Sequence, residues 1–107
     1  MPLDFDQILK DCIAAAKKEL GAGWNDAAPF AEQKFKQYLE DMADLNKLRA
    51  DGTIDEDEFK YRADLHKSSM QSVLLAVKGI GLIAAQNIIN AVLGIVGKAI
   101  GAVLIGV

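Results

Sequence analysis

The sequence predicts an all-α protein, an N-terminal bundle of three amphipathic helices followed by a long hydrophobic, glycine-containing C-terminal helix or helical hairpin. Three observations carry this. Apolar residues recur at spacings of three and four through the first sixty-seven positions, two segments there open with paired capping signals, and charge almost vanishes after Lys67. All fifteen acidic residues lie between Asp4 and Asp64, and no aromatic residue follows Tyr61. The chain therefore divides into an acidic segment over 1–67, a small polar stretch over 68–72 and a hydrophobic segment over 73–107.

The first helix opens at Asp4, an N-cap residue with Gln7 three positions on as in a capping box, and with Leu3 and Ile8 at the staple positions. Phe5, Ile8, Leu9, Cys12, Ile13, Ala16 and Leu20 line one face, and Gly21 suits the position just past the end. Gly21 to Asp26 reads as a loop, with Trp24 as a plug over the end of the bundle. A second helix is expected from Asp26 or Ala27 to Ala50. Pro29 would then sit in its first turn, where a missing N–H costs nothing. Phe30, Phe35, Tyr38, Met42, Leu45 and Leu48 form its expected apolar stripe. Gly52 breaks the chain, and a third helix starts with the same devices: Asp55 as cap, Glu58 three on, and Ile54 with Phe59 as the staple. Glu56, Asp57 and Glu58 favour the positive end of that helix. With caps and stripes of their own, residues 1–72 are expected to stay soluble and helical without the rest.

Ser68 to Ser72 is a hinge or a continuation of the helix. No proline follows Pro29, so nothing forces a break, and residues 73–105 as one helix would run roughly 50 Å. Gly79, Gln86, Asn87, Asn90, Gly94, Gly97 and Gly101 would share one arc of that helix with Lys98. The remainder of the wheel is nearly all Ile, Leu, Val and Ala. Small residues let helices approach closely and buried amides bond between neighbours, so these seven are the candidate helix–helix or oligomer contact.

Gly79 to Gly97 is nineteen residues without a charge, long enough to cross a hydrocarbon core. With Lys78 before it and Lys98 directly after it, the segment resembles membrane-active amphipathic peptides and fusion segments, a likeness of composition that implies contact with lipid. Residues 51–59 resemble the second half of an EF-hand loop, but Lys47 and Arg49 stand where its first carboxylates belong, which argues against calcium. The same stretch is similar to the hairpin of bacterial SHOCT-type modules, a common way of joining two helices.

Several functions are disfavoured. The acidic segment carries a net charge of −5, from ten basic and fifteen acidic side chains, which argues against nucleic acid. Cys12 is the one cysteine, so no internal disulfide and no cysteine-based zinc site can form. His66 is the one histidine, expected to be solvated or packed in the hairpin, and no phosphate-cradling loop or nucleophile–base pair is apparent. No enzyme activity, cofactor, metal or small-molecule substrate is expected. The opening Met1-Pro-Leu-Asp-Phe-Asp6 lacks the pattern of a secretory signal, so a chain made without one is expected, then membrane-associated or held within a multi-subunit assembly. The leading expectation is a self-assembling helical protein whose C-terminal segment enters or lies on a bilayer, as a pore-forming, holin-like or delivery-channel protein does. The alternative is a structural assembly subunit, of a filament, phage tail or virion interior, with its hydrophobic tail buried between copies.

Overall fold

The computed structural model describes residues 3–102 and residue 104. The outer ends of the segments drawn above, residues 1, 2, 103 and 105–107, lie outside the described residues. Four α-helices follow one another: α1 (Phe5–Leu20), α2 (Trp24–Ala50), α3 (Glu56–Ala76) and α4 (Leu82–Ile100), with a 3-10 turn at Gly21–Gly23 between the first two. The described residues include no strand. The helices pack in a ring in chain order, α1 on α2, α2 on α3, α3 on α4 and α4 back on α1, while α2 and α4 touch lightly across the diagonal.

Side-chain pairs fix the directions. Lys34 Nζ donates to Ser69 Oγ at 2.8 Å, His66 lies 3.6 Å from Asp41, and Arg49 lies 3.7 Å from Glu56 with its guanidinium 4.2 Å from the centre of the Phe59 ring. Positions thus rise along α2 as they fall along α3, the signature of an antiparallel hairpin. Asn87, near the start of α4, donates to Glu19, near the end of α1, at 2.9 Å, so that pair is antiparallel too.

The caps form as the sequence requires, though only by half. Asp4 Oδ1 accepts from the Gln7 N–H at 3.1 Å and Asp55 Oδ1 from the Glu58 N–H at 2.8 Å. The reciprocal arm of the box is missing in both. Gln7 reaches forward to Asp11 and Glu58 to Arg62, because an i,i+4 partner on the same face is available. Helix α2 ends in a Schellman arrangement: the Thr53 N–H reaches Leu48 O at 2.9 Å, the Gly52 N–H reaches Arg49 O at 3.1 Å, and Gly52 takes φ +76°.

Three expectations change. Helix α2 starts at Trp24, not Asp26, so Pro29 lies in the second turn and removes the bond its N–H would have made to Asn25 O. Buried Trp24 and Ala27 anchor that early turn. Phe30 is exposed; it is rotated about 100° from Ala31, which takes the core position instead. Residues 68–72 belong to α3, with Met70 fully buried, and the break falls further on, at Val77–Gly81. There the Ile80 N–H bonds to Val77 O at 3.2 Å and Gly79 adopts φ +92°, the third position of a turn that excludes side chains. A turn of two glycines therefore divides residues 73–105 without any proline.

Helix α4 is built into the core. Ile88, Ile89, Val92 and Val96 are almost completely buried, with Leu93 close behind, beside Cys12, Phe35, Tyr38, Met42 and Met70 of the other helices. Burial of such a side chain contributes about 1.5–3 kcal/mol, so these five supply on the order of 10 kcal/mol, comparable with the net stability of a whole domain. Without α4, residues 1–72 would leave that part of the core uncovered. A chain ending at Ala76 is expected to lose cooperative thermal unfolding followed by circular dichroism; a sharp transition like that of the full chain would show α4 to be dispensable.

Candidate functional site

Because the hydrophobic segment is the feature that the rest of the chain must accommodate, the candidate site is α4 and the corner that leads into it. Nineteen residues carry Lys98 and no other charge, and α4 is the one helix among the described residues long and apolar enough to cross a membrane. At 1.5 Å per residue it spans about 28 Å, close to the thickness of a hydrocarbon core. Within the bundle it is only partly covered, with 39% of its apolar window buried. Ala85, Ile88, Ile89, Val92 and Val96 face inward, while Ile83, Asn87, Asn90, Gly94 and Lys98 follow one another along the outward face.

The seven candidate contact residues separate into distinct surroundings. Asn87, Asn90 and Gly94 lie on the outward face of α4, Gln86 beside them is half-buried, and a methyl group at Gly94 would meet open space. Gly79 is outside the helix, in the turn before it. Gly101 caps the far end at φ +72°, and both its own N–H and that of Ala102, at 2.9 Å, reach Gly97 O. Gly97 is buried by its own chain: a Cβ there would stand 2.7 Å from Ala102 O and 3.5 Å from Leu104. The G-x-x-x-G spacing is thus a chain reversal that folds Leu104 back over the helix end. The fully buried small residues on the helix faces are alanines, Ala16, Ala27, Ala31 and Ala85, which sit on α1, α2 and α4 and permit those helices to approach closely.

At the opposite end of α4 the surface is apolar. Phe30, Leu75, Leu82 and Ile83, four of the seven exposed large hydrophobic residues among those described, belong to the start of α2, the end of α3 and the start of α4. A groove of about 850 Å³ between Asp26, Phe30, Val73, Ala76, Val77, Lys78 and Gly79 opens there. Sequence reading missed this corner because it placed the possible hinge at 68–72 and assigned no turn to Gly79–Gly81 within the C-terminal helix or hairpin. The available signal was Gly79-Ile-Gly81, one glycine for a turn and one before a helix start.

In the interior, Cys12 and Tyr38 are buried, and the Tyr38 hydroxyl has no hydrogen-bond partner among the described residues. Burial pushes the Cys12 thiol up to about 12, with the nearby Asp11 charge adding to it, and burial likewise raises Tyr38, with a contribution from Cys12. A thiol held neutral in this way is no nucleophile. A cavity of about 150 Å³ adjoins Tyr38, Phe59, Ala63, Leu93 and Leu104, with Lys60, Asp64 and Lys67 also lining it. No group of three or more His, Cys, Asp or Glu residues that could hold a metal occurs among the described residues.

Comparison with protein-family models, curated proteins and solved structures finds no match to this chain.

Two sets of substitutions test this geometry. Gly94→Ala is expected to raise stability by about 0.5–1 kcal/mol through helix propensity, whereas Gly97→Ala is expected to lower it by about 1–3 kcal/mol through overpacking against Ala102 O. Equal shifts in chemical denaturation would show the reversal to be yielding. Alkaline stability reports the buried pair. Both groups are raised on folding, so the unfolded chain loses its protons first and stability declines as pH climbs above about 9. Each group adds a slope of up to about 1.4 kcal/mol per pH unit. Tyr38→Phe should remove one of these slopes and, by deleting an unpaired buried hydroxyl, cost little stability at neutral pH.

Proposed function

We propose that the protein is a non-enzymatic, membrane-associating helical bundle whose α4 enters or lies on a bilayer and there self-associates. The observation that carries this reading is the conjunction of a charge-poor helix of membrane length with an exposed apolar corner immediately before it. Hydrocarbon tails solvate Ile and Leu as well as the bundle core does, so burial lost on leaving the core is regained in lipid. The amides of Gln86, Asn87 and Asn90 would not be satisfied by lipid. Sharing one face, they favour a helix partner within the membrane, and a second copy of the same chain supplies an identical face. This supports a homo-oligomer of pore-forming, holin-like or delivery-channel type. A catalytic role has little support, since Cys12 is buried and His66 sits near Asp41 on the α2–α3 surface.

The second reading is a structural assembly subunit that never meets lipid. It is favoured by α4 already having its inner face covered within one chain, which leaves the outward strip around Gly94 for packing against copies. Flotation of the intact chain with vesicles separates the two readings. The expected result is a soluble chain in buffer that moves to the lipid fraction and, on pore formation, releases a trapped dye. A chain that stays below the lipid at every composition and forms a stable oligomer in buffer would discard the membrane reading in favour of assembly.

A further inference from the structure

Resting on the membrane reading, we infer that the protein docks end-on to an anionic lipid surface, with the α3–α4 corner as the tip that enters first. The bundle is polarised along its length. Helix α2 alone spans about 40 Å and sets the long axis, 43 Å in extent. At one end of it the α2–α3 turn holds Asp51, Asp55, Glu56, Asp57 and Glu58. At the other end stand the apolar residues Phe30, Leu75, Leu82 and Ile83. Lys78 is exposed in the corner itself, and Lys17 and Lys18 are exposed in the last turn of α1, which the 3-10 turn joins to the start of α2.

Charge and continuity name the occupant. Lys17, Lys18 and Lys78 face outward here against two exposed acids, Asp26 in the groove lining and Glu19 beside Asn87, so the corner and the last turn of α1 together hold a small positive excess towards a partner. The first turn of α4 contains no acid and Gly81 supplies no side-chain cap, so the positive end of that helix faces the same way. Exposed Leu82 and Ile83 can enter the hydrocarbon while lysines rest among anionic headgroups. At the far end Lys47, Arg49, Lys60 and Arg62 offset most of the acids, Arg49 and Arg62 by pairing with Glu56 and Glu58, so the exposed apolar tip rather than charge repulsion sets the orientation. Behind the tip, Gly79 to Gly97 carries no charge, so deeper entry encounters no ionised side chain before Lys98.

The test uses the full chain with an environment-sensitive fluorophore at one of two positions, Ile83→Cys in the tip or Thr53→Cys in the acidic turn; Cys12 is fully buried and does not compete for label. Vesicles contain phosphatidylcholine alone or with phosphatidylglycerol. On the anionic vesicles, label at position 83 is expected to shift to the blue and to be quenched by nitroxide-bearing lipid, while label at position 53 is unchanged. Added salt should weaken binding. Leu82→Ser with Ile83→Ser, both at exposed sites and with circular dichroism confirming the fold, should lower partition at least about tenfold. Vesicle binding with position 83 unmoved, or with position 53 shifted, overturns end-on docking and leaves membrane association standing. Absence of binding to either vesicle overturns both. A blue shift at position 83 that follows protein concentration without lipid assigns the corner to a second copy and overturns the proposal.

Discussion

The rest of the structure depends on the contact between the apolar face of α4 and the stripe of α1. The α2–α3 hairpin forms from neighbours in sequence and brings its own turn, caps and ion pairs. Helix α1 is different. Its buried residues Ile8, Cys12 and Ala16 are covered by α2 on one flank and need α4 on the other. Removing α4 would expose that stripe together with Tyr38 and Phe59. A hydrophobic segment that looks in sequence like an appendage is therefore what closes the bundle.

Local chemistry was legible in the sequence and tertiary partnership was not. Asp4 and Asp55 could be recognised as caps because a cap is decided within four residues, and Gly52 because a Schellman end needs a residue that tolerates positive φ. The stripe of α1 was readable, apart from Phe5, which is exposed, because its helix starts where the cap says. The stripe of α2 was misread at Phe30 because a large aromatic residue outweighed Ala27 and Ala31, whose small size is what lets neighbouring helices come close. The corner at Val77–Gly81 was hidden because glycine turns carry a weaker signal than proline. The polar strip was visible as a strip, but an amphipathic wheel gives a face and not its partner. Gly97 and Gly101 share a spacing with membrane contact motifs, and only the backbone distinguishes a crossing of helices from a chain reversal.

On the membrane reading proposed above, the same composition would serve two environments. In the bundle, the apolar residues of α4 pack among apolar neighbours, and the amide of Asn87 bonds to Glu19. In hydrocarbon, the apolar residues remain satisfied while the amides need partners. Helix α4 therefore changes its polar contacts more than its apolar ones between the two settings. Its partial burial leaves an outward face that the closed fold does not use.

Topology has a consequence for the time course of folding. Glu19 and Asn87 are sixty-eight positions apart, whereas the α2–α3 contacts close through a short turn. The entropy of loop closure is thus borne by the α1–α4 docking, after the central hairpin can already exist. Until α4 docks, the stripe of α1 and the interior face of the hairpin remain wetted. During synthesis, the first helix waits for nearly the whole chain before its last flank is covered. The interval between the emergence of α1 and the arrival of α4 is a window in which another apolar surface can take the place of α4.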